Sequence, residues 1–369
     1  MSWFLTSFDG LEDPRCGNAR RYSLLDLLTI ALAASVCGAE TCVDFADFAR
    51  DRAALFHDFL SLEGGLPSHD TFSRVFRLLD PAAFGRCFAQ FLDGLGRVGP
   101  GQIAIDGKTL RASFDAAAGT SALHVVSAFA TDRRMRLAQA NAHGDEIAGA
   151  RAVLELFDLT GALVSADALH CQVETAVLIN ARGGDWLFAL KSNRRQLFED
   201  VKTYFADPLA GPHLEHRTVD ADHGRIETRR VRVSHDVDWL NHERITREIR
   251  TLPGLATLAI VERSIERRGK TVNTAHAYVS SAKLSAEACA TAIRNHWRIE
   301  NRLHWVLDMS FNEDRQTNRK DHGPENLAIL RKLALNVLQT ARPDVSIRRK
   351  RKRSGWSDEF ARTILGQMR

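Results

Sequence analysis

No Cys-x-x-Cys pair occurs in the chain. Its six cysteines, at 16, 37, 42, 87, 171 and 289, are scattered, which argues against a zinc ribbon or disulfide framework and fits reduced thiols in a cytoplasm. The charged-then-apolar layout of a signal peptide is missing. Long apolar runs are missing too. The most apolar stretch, Leu24 to Val36, contains Asp26 and falls short of the roughly 20 residues of a transmembrane helix, so a buried helix and no membrane partner are expected. Neither sign of charge dominates: the net charge is +4, and bulk charge alone announces no nucleic-acid partner. Internal repeats and low-complexity blocks are absent.

What is there is a soluble globular composition, 44% hydrophobic and 26% charged. At 369 residues the chain is too long for one ordinary core, so two or three domains are expected. Charge is concentrated in one place. Arg348, Arg349, Lys350, Arg351, Lys352 and Arg353 form an unbroken basic run, either a solvated tail or a phosphate-binding arm, within a C-terminal segment 343–369.

Residues 1–97 read as a helical N-terminal domain, either a plain packing module or one that binds DNA. Ser23 can cap a helix from Leu24, and Ser68 can cap another in which Phe72, Val75, Phe76 and Leu79 share one face. Gly94, Gly96, Gly99, Pro100 and Gly101 then mark a linker. From 98 to 342 the texture is α/β. Gln102 to Gly107 is a short apolar run ending in Asp-Gly. His124 to Thr131 and Met135 to Ala142 read as a hairpin turning at Asp132-Arg133-Arg134. Ile147 to Leu159 reads as a helix, Leu163 to Asp167 as a strand, Gln172 to Ala181 as a helix and Trp186 to Leu190 as a strand. The order describes a mixed sheet with flanking helices. It is interrupted by a β-rich, charged stretch, 205–284, with strands at Arg225 to Val233, Leu255 to Ile265 and Val272 to Val279. Helix resumes after Ser285 and runs past Trp305, and a last helix covers Asn326 to Leu338.

Three carboxylates do not fit a plain core. At about 100° per residue, Glu300 falls in the middle of a stripe formed by Ile293, His296, Trp297, Leu303, His304 and Leu307. Burying an unpaired carboxylate is costly, so an inward Glu300 needs a cation, such as Arg331, or a metal. Asp106 and Asp167 each end an apolar strand, the edge where sites of open α/β sheets assemble. Hard oxygen ligands select Mg²⁺ or Mn²⁺, and a pair of such ions about 4 Å apart suits in-line attack at a phosphodiester. Asp308 is the fallback third acid, while Glu313 and Asp314 are expected past the helix and exposed. A zinc trio of His296, Glu300 and His304 is the weaker alternative to packing or hydrogen bonding. The isolated pairs His69-Asp70 and His235-Asp236 do not make a phosphohydrolase. Lys108, Lys191 and Asn193, near the same strand ends, are candidates for DNA contact. So are Arg225, in the alternating basic face His223, Arg225, Glu227, Arg229, and Arg294 and Arg298 beside the glutamate.

In order along the chain, LPSHDTFSRVFRLLDP from Leu66, IAIDGKTLR from Ile103, LVSADALHCQ from Leu163, WLFALKSNR from Trp186, HGRIETR from His223, HWRIENRLHWVLDMSFNED from His296 and ENLAILRKLALNVL from Glu325 resemble the H-repeat-associated branch of the DDE insertion-sequence transposases. The resemblance covers almost the whole chain. It implies a ribonuclease H-like core in which Asp106, Asp167 and Glu300 match the three catalytic acids, with a β-rich insertion before the Glu-bearing helix. Two divalent ions, double-stranded DNA as partner, a homodimer on paired element ends and a nucleoid-associated place in the cytoplasm are implied with it. So is the chemistry: water releases a 3′-hydroxyl at the element end, and that hydroxyl attacks target DNA. Related insertion-sequence transposases carry Tyr, Arg and Lys around the third acid, where this chain has Ile293, His296 and Leu307, so those roles are not carried over. Two rivals keep the fold: a metal-dependent nuclease without strand transfer, and an inactive DNA-binding derivative.

Overall fold

The computed structural model describes residues 2–56, 60, 64–94, 101–132, 135–142, 144–211, 213–222, 224–241 and 252–366. The hairpin turn at Arg133-Arg134, the linker residues Gly96, Gly99 and Pro100 with the boundary at 97, and His223 lie outside them. Six helices come first: α1 Ser2–Phe8, α2 Leu24–Cys37, α3 Cys42–Asp51, α4 Ala53–Phe56, α5 His69–Leu78 and α6 Pro81–Gly94. The Ser23 hydroxyl caps α2 by accepting from the Asp26 amide at 3.4 Å. Ser68 precedes α5 without a side-chain cap bond. The α5 stripe Phe72, Val75, Phe76 and Leu79 is buried as its spacing predicts.

Nine strands make one mixed sheet, in the order β3-β2-β1-β4-β5-β9-β8-β7-β6. Their ranges are β1 Gln102–Thr109, β2 His124–Ala130, β3 Met135–Asn141, β4 Leu163–Ala166, β5 Asp185–Leu190, β6 Leu214–Asp222, β7 Arg225–Ser234, β8 Thr257–Arg267 and β9 Lys270–Ser280. β1, β4 and β5 run parallel, and the remaining pairs are antiparallel. The parallel crossovers pass through α7 Glu146–Leu154 and α8 Val173–Ala181, and α9 Arg195–Ala206 follows β5. Among the described residues the β-rich stretch forms no separate sheet. β9 pairs with β5, so its four strands extend the core sheet outward.

Alternation along the strands divides the faces. Ile103, Ile105, Val164, Trp186 and Phe188 pack into one core with residues of α7, α8 and α9. On the other face, Leu187 packs with Ala286, Cys289 and Ile293 of α10 Ala286–His296. Ala104 and Phe129 join a core shared by α2, α5, α6 and α12 Gly323–Thr340. The N-terminal helices therefore bury their apolar faces against α12, and Asn326 of α12 donates to the Phe76 and Leu79 carbonyls at 2.9 and 2.8 Å.

Two expectations from sequence need correction. The helix after Ser285 does run past Trp305, but its pitch is not uniform: α10 ends at His296, and a π-turn, Glu300–His304, precedes α11 Trp305–Phe311. The basic C-terminal segment is not a tail. It forms α13 Ile347–Trp356 and α14 Asp358–Leu365, docked on α2 and α12. Burial explains why: Lys350 spends its charge on the Leu338 and Ala341 carbonyls, at 2.9 and 2.7 Å, and Arg351 on those of Ser35 and Ala39, at 3.0 and 2.7 Å. No single described helix is long and apolar enough to cross a membrane, and all six cysteines are free thiols.

Candidate active site

β1 and β4 lie side by side in parallel register, with Ile105 opposite Ala166. The next residue on each path is an aspartate, Asp106 or Asp167, so two carboxylates are set at neighbouring strand positions about 4.8 Å apart. By alternation Asp106 shares a face with Ala104, the side covered by α10 and α12. Asp167 also starts a short 3₁₀ turn, Ala168–His170, its Oδ1 accepting from the Leu169 amide at 2.9 Å. Both aspartates are half-exposed.

Glu300 opens the π-turn and is exposed, not centred on the buried stripe. The buried positions are Ile293, Ile299, Leu303 and Leu307, while Trp297 is 52% exposed. A π-turn inserts an extra residue, so a uniform α-helical pitch misplaces what lies around it. Arg331, the arginine considered as a partner for Glu300, instead bonds Glu313 at 3.2 Å. Glu300 is still near Asp106. Partial burial of its carboxyl, and next the charge of Asp106, push it above the ordinary glutamate range, with His304 pulling the other way. His304 Nε2 stands 3.2 Å from Asp106 Oδ2, off line for a hydrogen bond.

A polar network holds the glutamate's helix to the strand ends. The buried Gln102 amide of β1 donates to Ser165 Oγ of β4 and to the Ala292 carbonyl of α10, both at 2.7 Å. Ser165 Oγ in turn meets His296 Nδ1 at 3.2 Å. Burial pushes the His296 imidazole down, against the opposing pull of Asp106 and Asp167. His296 is thus tied to the strand ends rather than grouped with Glu300 and His304 in a zinc trio. On the opposite face the Glu146 carboxylate of α7 sits between His124 and His170. These hydrogen bonds, that to His170 foremost, hold it below the ordinary glutamate range. Gly107 makes room for it: a Cβ there would stand 2.5 Å from Glu146 Cδ. Neither network is legible in the sequence.

The candidate DNA contacts divide. Lys108 is not a free loop lysine. It lies on β1, mostly buried, and bonds Asp308, with Glu313 and Asp314 each at 3.4 Å. Asp308 is therefore committed to a cation, and Glu313, expected exposed, is 1% exposed. Lys108 points to the face of Asp106 by the same alternation that aims Asp106 there. Lys191 and Asn193 are exposed beyond β5, and Asn193 donates to the Ala168 carbonyl in the turn after Asp167. Arg225 and Arg294 line one pocket of about 350 Å³ with Arg229, Arg263, His276 and Trp297. Three of those arginines surround the buried Glu227, at 3.7, 2.5 and 2.6 Å. Arg298 is exposed.

Asp106, Asp167 and Glu300 supply hard oxygen donors, and among the described residues none pairs with a lysine or arginine. Such a donor set fits Mg²⁺ or Mn²⁺ rather than zinc or copper. In this side-chain arrangement no three His, Cys, Asp or Glu groups among the described residues stand within joint reach of one ion. Glu300, being exposed, is the member free to turn.

Comparison with known proteins gives the family of the chain. Residues 98–337 match the family described as Transposase DDE domain, and residues 5–92 match DDE_Tnp_1-associated. Among curated proteins, YhhI of Escherichia coli (strain K12), whose name places it with the H repeat-associated transposases, is 34% identical over 352 residues, 93% of this chain and 92% of its own. YncI of Escherichia coli O157:H7, also bearing a transposase name, is 31% identical over 363 residues, 96% and 92% of the two chains. A solved piggyBac transposase synaptic complex with hairpin DNA aligns over 98% of this chain and 77% of its own, at TM-score 0.43 and 11% identity, too distant for comparison site by site. The chain belongs to the DDE transposases, in their H repeat-associated branch.

Proposed function

We propose that this transposase cuts the ends of its own element and joins the freed 3′-hydroxyl to target DNA, with Asp106, Asp167 and Glu300 as its metal-holding acids. The observation that carries the reading is the Ile105–Ala166 register, from which two aspartates that pair with no lysine or arginine among the described residues extend side by side, with the Glu300 carboxyl close enough to respond to Asp106. The strand order β3-β2-β1-β4-β5, with two antiparallel and two parallel pairings, supports a ribonuclease H-like core.

Two Mg²⁺ ions, replaceable by Mn²⁺, would supply activation of the attacking oxygen and stabilisation of the leaving one when bound. The chain's own part is to hold the donors. Gln102 and Ser165 keep α10 against the strand ends, and the turn after Asp167 is fixed by the hydrogen bond that its Leu169 amide donates to that carboxylate. No protein nucleophile is required. Exposed Lys191, Asn193 and Arg298, with the Arg225 and Arg294 pocket, flank the acids and suit the phosphates of a DNA duplex. Action on paired ends calls for a homodimer.

The test is Mg²⁺-dependent nicking of a plasmid carrying the DNA that flanks the gene, together with joining of a pre-cut 3′-hydroxyl donor. Asp106→Asn, Asp167→Asn and Glu300→Gln should each lower nicking by about 100-fold or more, and the two aspartate variants should weaken Mn²⁺ binding seen by electron paramagnetic resonance. Wild-type nicking by Asp167→Asn would overturn the assignment. Nicking without joining would leave a nuclease.

A further inference from the structure

The basic run on α13 divides by burial. Lys350 and Arg351 are consumed by buried carbonyls, whereas Arg348, Arg349 and Lys352 are exposed and form no ion pair among the described residues. Arg353 is half-exposed and stacks over Phe360 at 4.2 Å. The helix contains no acid, and Trp356 at its end is 75% exposed. These side chains line one groove. Ser346 and Arg348 also line a second cleft, of about 600 Å³, with Asn301, Arg302, Trp305 and Met309. Asn301 follows Glu300 in the chain, and it also lines the Arg225 and Arg294 pocket. A continuous strip therefore runs from the β-rich extension past Asn301, the neighbour of Glu300, to α13. Trp297, Trp305 and Trp356, each more than half exposed, punctuate it.

An exposed tryptophan beside uncompensated cations is out of place on a merely solvated face, because the ring's apolar surface stays in water and the cations repel one another. A polyanion with a regular charge spacing removes both costs: phosphates neutralise the cations, and deoxyribose covers the ring. We propose that the α13 groove binds the sugar-phosphate backbone of duplex DNA, the flank that leads away from the bond held at Glu300. The inference rests on the transposase reading and adds a surface to it. Lys350 and Arg351 serve as anchors, holding α13 so that its other cations face outward.

The experiment titrates salt against binding of a fluorescent, mixed-sequence duplex. The triple variant Arg348→Gln, Arg349→Gln, Lys352→Gln leaves both anchors in place, so its melting temperature should match the wild type. The slope of log K against log salt should fall by about 0.9 for each phosphate that the variant no longer neutralises, or roughly 2 to 3 in all. Trp356→Ala should weaken binding with little change of slope. Trimming the duplex from one end should give a step in wild-type affinity that the triple variant lacks. An unchanged slope would overturn the proposal. So would a change in native mass without a change in slope, which would make the groove an interface between copies. Asp106→Asn separates the two readings: it should abolish nicking yet keep the wild-type slope. If Asp106→Asn still nicks, the acid assignment fails while the groove stands or falls by its own slope.

Discussion

The Glu146 carboxylate joins two histidines on different elements, His124 of β2 at 2.7 Å and His170 of the turn after Asp167 at 3.2 Å. It thereby couples α7 to the segment that aims one of the proposed acids. His170 is 1% exposed and its Nδ1 already lacks a hydrogen bond among the described residues, so Glu146→Ala strands a buried imidazole. The expected cost is about 1–3 kcal/mol by chemical denaturation, with nicking lost beyond what instability explains and a higher Mg²⁺ requirement. Glu146→Gln should recover part of both. Because the folded state holds this carboxyl below its usual value of 4.5, the stabilisation is full above that pH and fades as pH falls through the lowered value. The Gln variant should lose that dependence. An unaltered acid limb of stability would remove Glu146 from this role.

Gly107 follows Asp106 and faces the other way along β1, toward Glu146. A methyl at Gly107 would meet Glu146 Cδ at 2.5 Å and His124 Nε2 at 2.6 Å, so one of them must move. Gly107→Ala should cost about 1–3 kcal/mol and reduce nicking. The contact predicts non-additivity: in a Glu146→Ala background the same methyl should cost much less. Equal costs in both backgrounds would show that the strain lies elsewhere.

Period-two alternation explains what is legible in the sequence and what is not. Strands β1, β4 and β5 are readable because their apolar runs end in Asp or turn residues, but β1 continues to Thr109, so Asp106 lies within its strand, level with the end of β4, while Asp167 follows the end of its own. The same alternation assigns Lys108 to the face of Asp106, but its acidic partners Asp308 and Glu313 come from some 200 residues onward, a pairing that only the packing of α11 and its neighbours against β1 creates. Glu300 is located by motif, while its exposure escapes a helical projection because a π-turn leaves no periodic mark at single-residue resolution. β6 escapes too, since its sequence, LEHRTVDAD, is polar on both faces, as an outermost strand tolerates. The basic run carries no sign that two of its six cations would be buried, because the carbonyls that satisfy them belong to α2, α12 and adjoining turns.

Gln102 is the one polar side chain among the described residues that bonds both the β4 strand end and α10. Replacing it by Leu removes both bonds and leaves the Ser165 hydroxyl with His296 alone, at a cost of about 1–3 kcal/mol. The effect on activity should exceed the effect on stability, since the bonds removed fix the helix that leads to Glu300. A variant that melts lower but nicks at the wild-type rate per folded molecule would show that Gln102 serves the core alone.

Glu313 is among the most deeply buried carboxylates of the fold, 1% exposed and bonded to Arg331 at 3.2 Å, with Lys108 at 3.4 Å. Burial pushes its carboxyl up, yet Arg331, Lys332 and Lys108 together outweigh burial and bring it down to about 2. A glutamate held so far below its usual 4.5 stabilises the fold fully above pH 4.5 or so. That contribution, on the order of 3 kcal/mol, drains away as pH falls toward about 2. Glu313→Gln removes it at every pH and leaves Arg331 and Lys332 buried without their anion, so a loss of about 3–5 kcal/mol at neutral pH is expected. The difference in stability between wild type and variant should then shrink steadily below about pH 4. Denaturant titrations at several pH values read this directly, and a difference that stays constant from neutral pH to the acid limit would overturn the lowered carboxyl of Glu313.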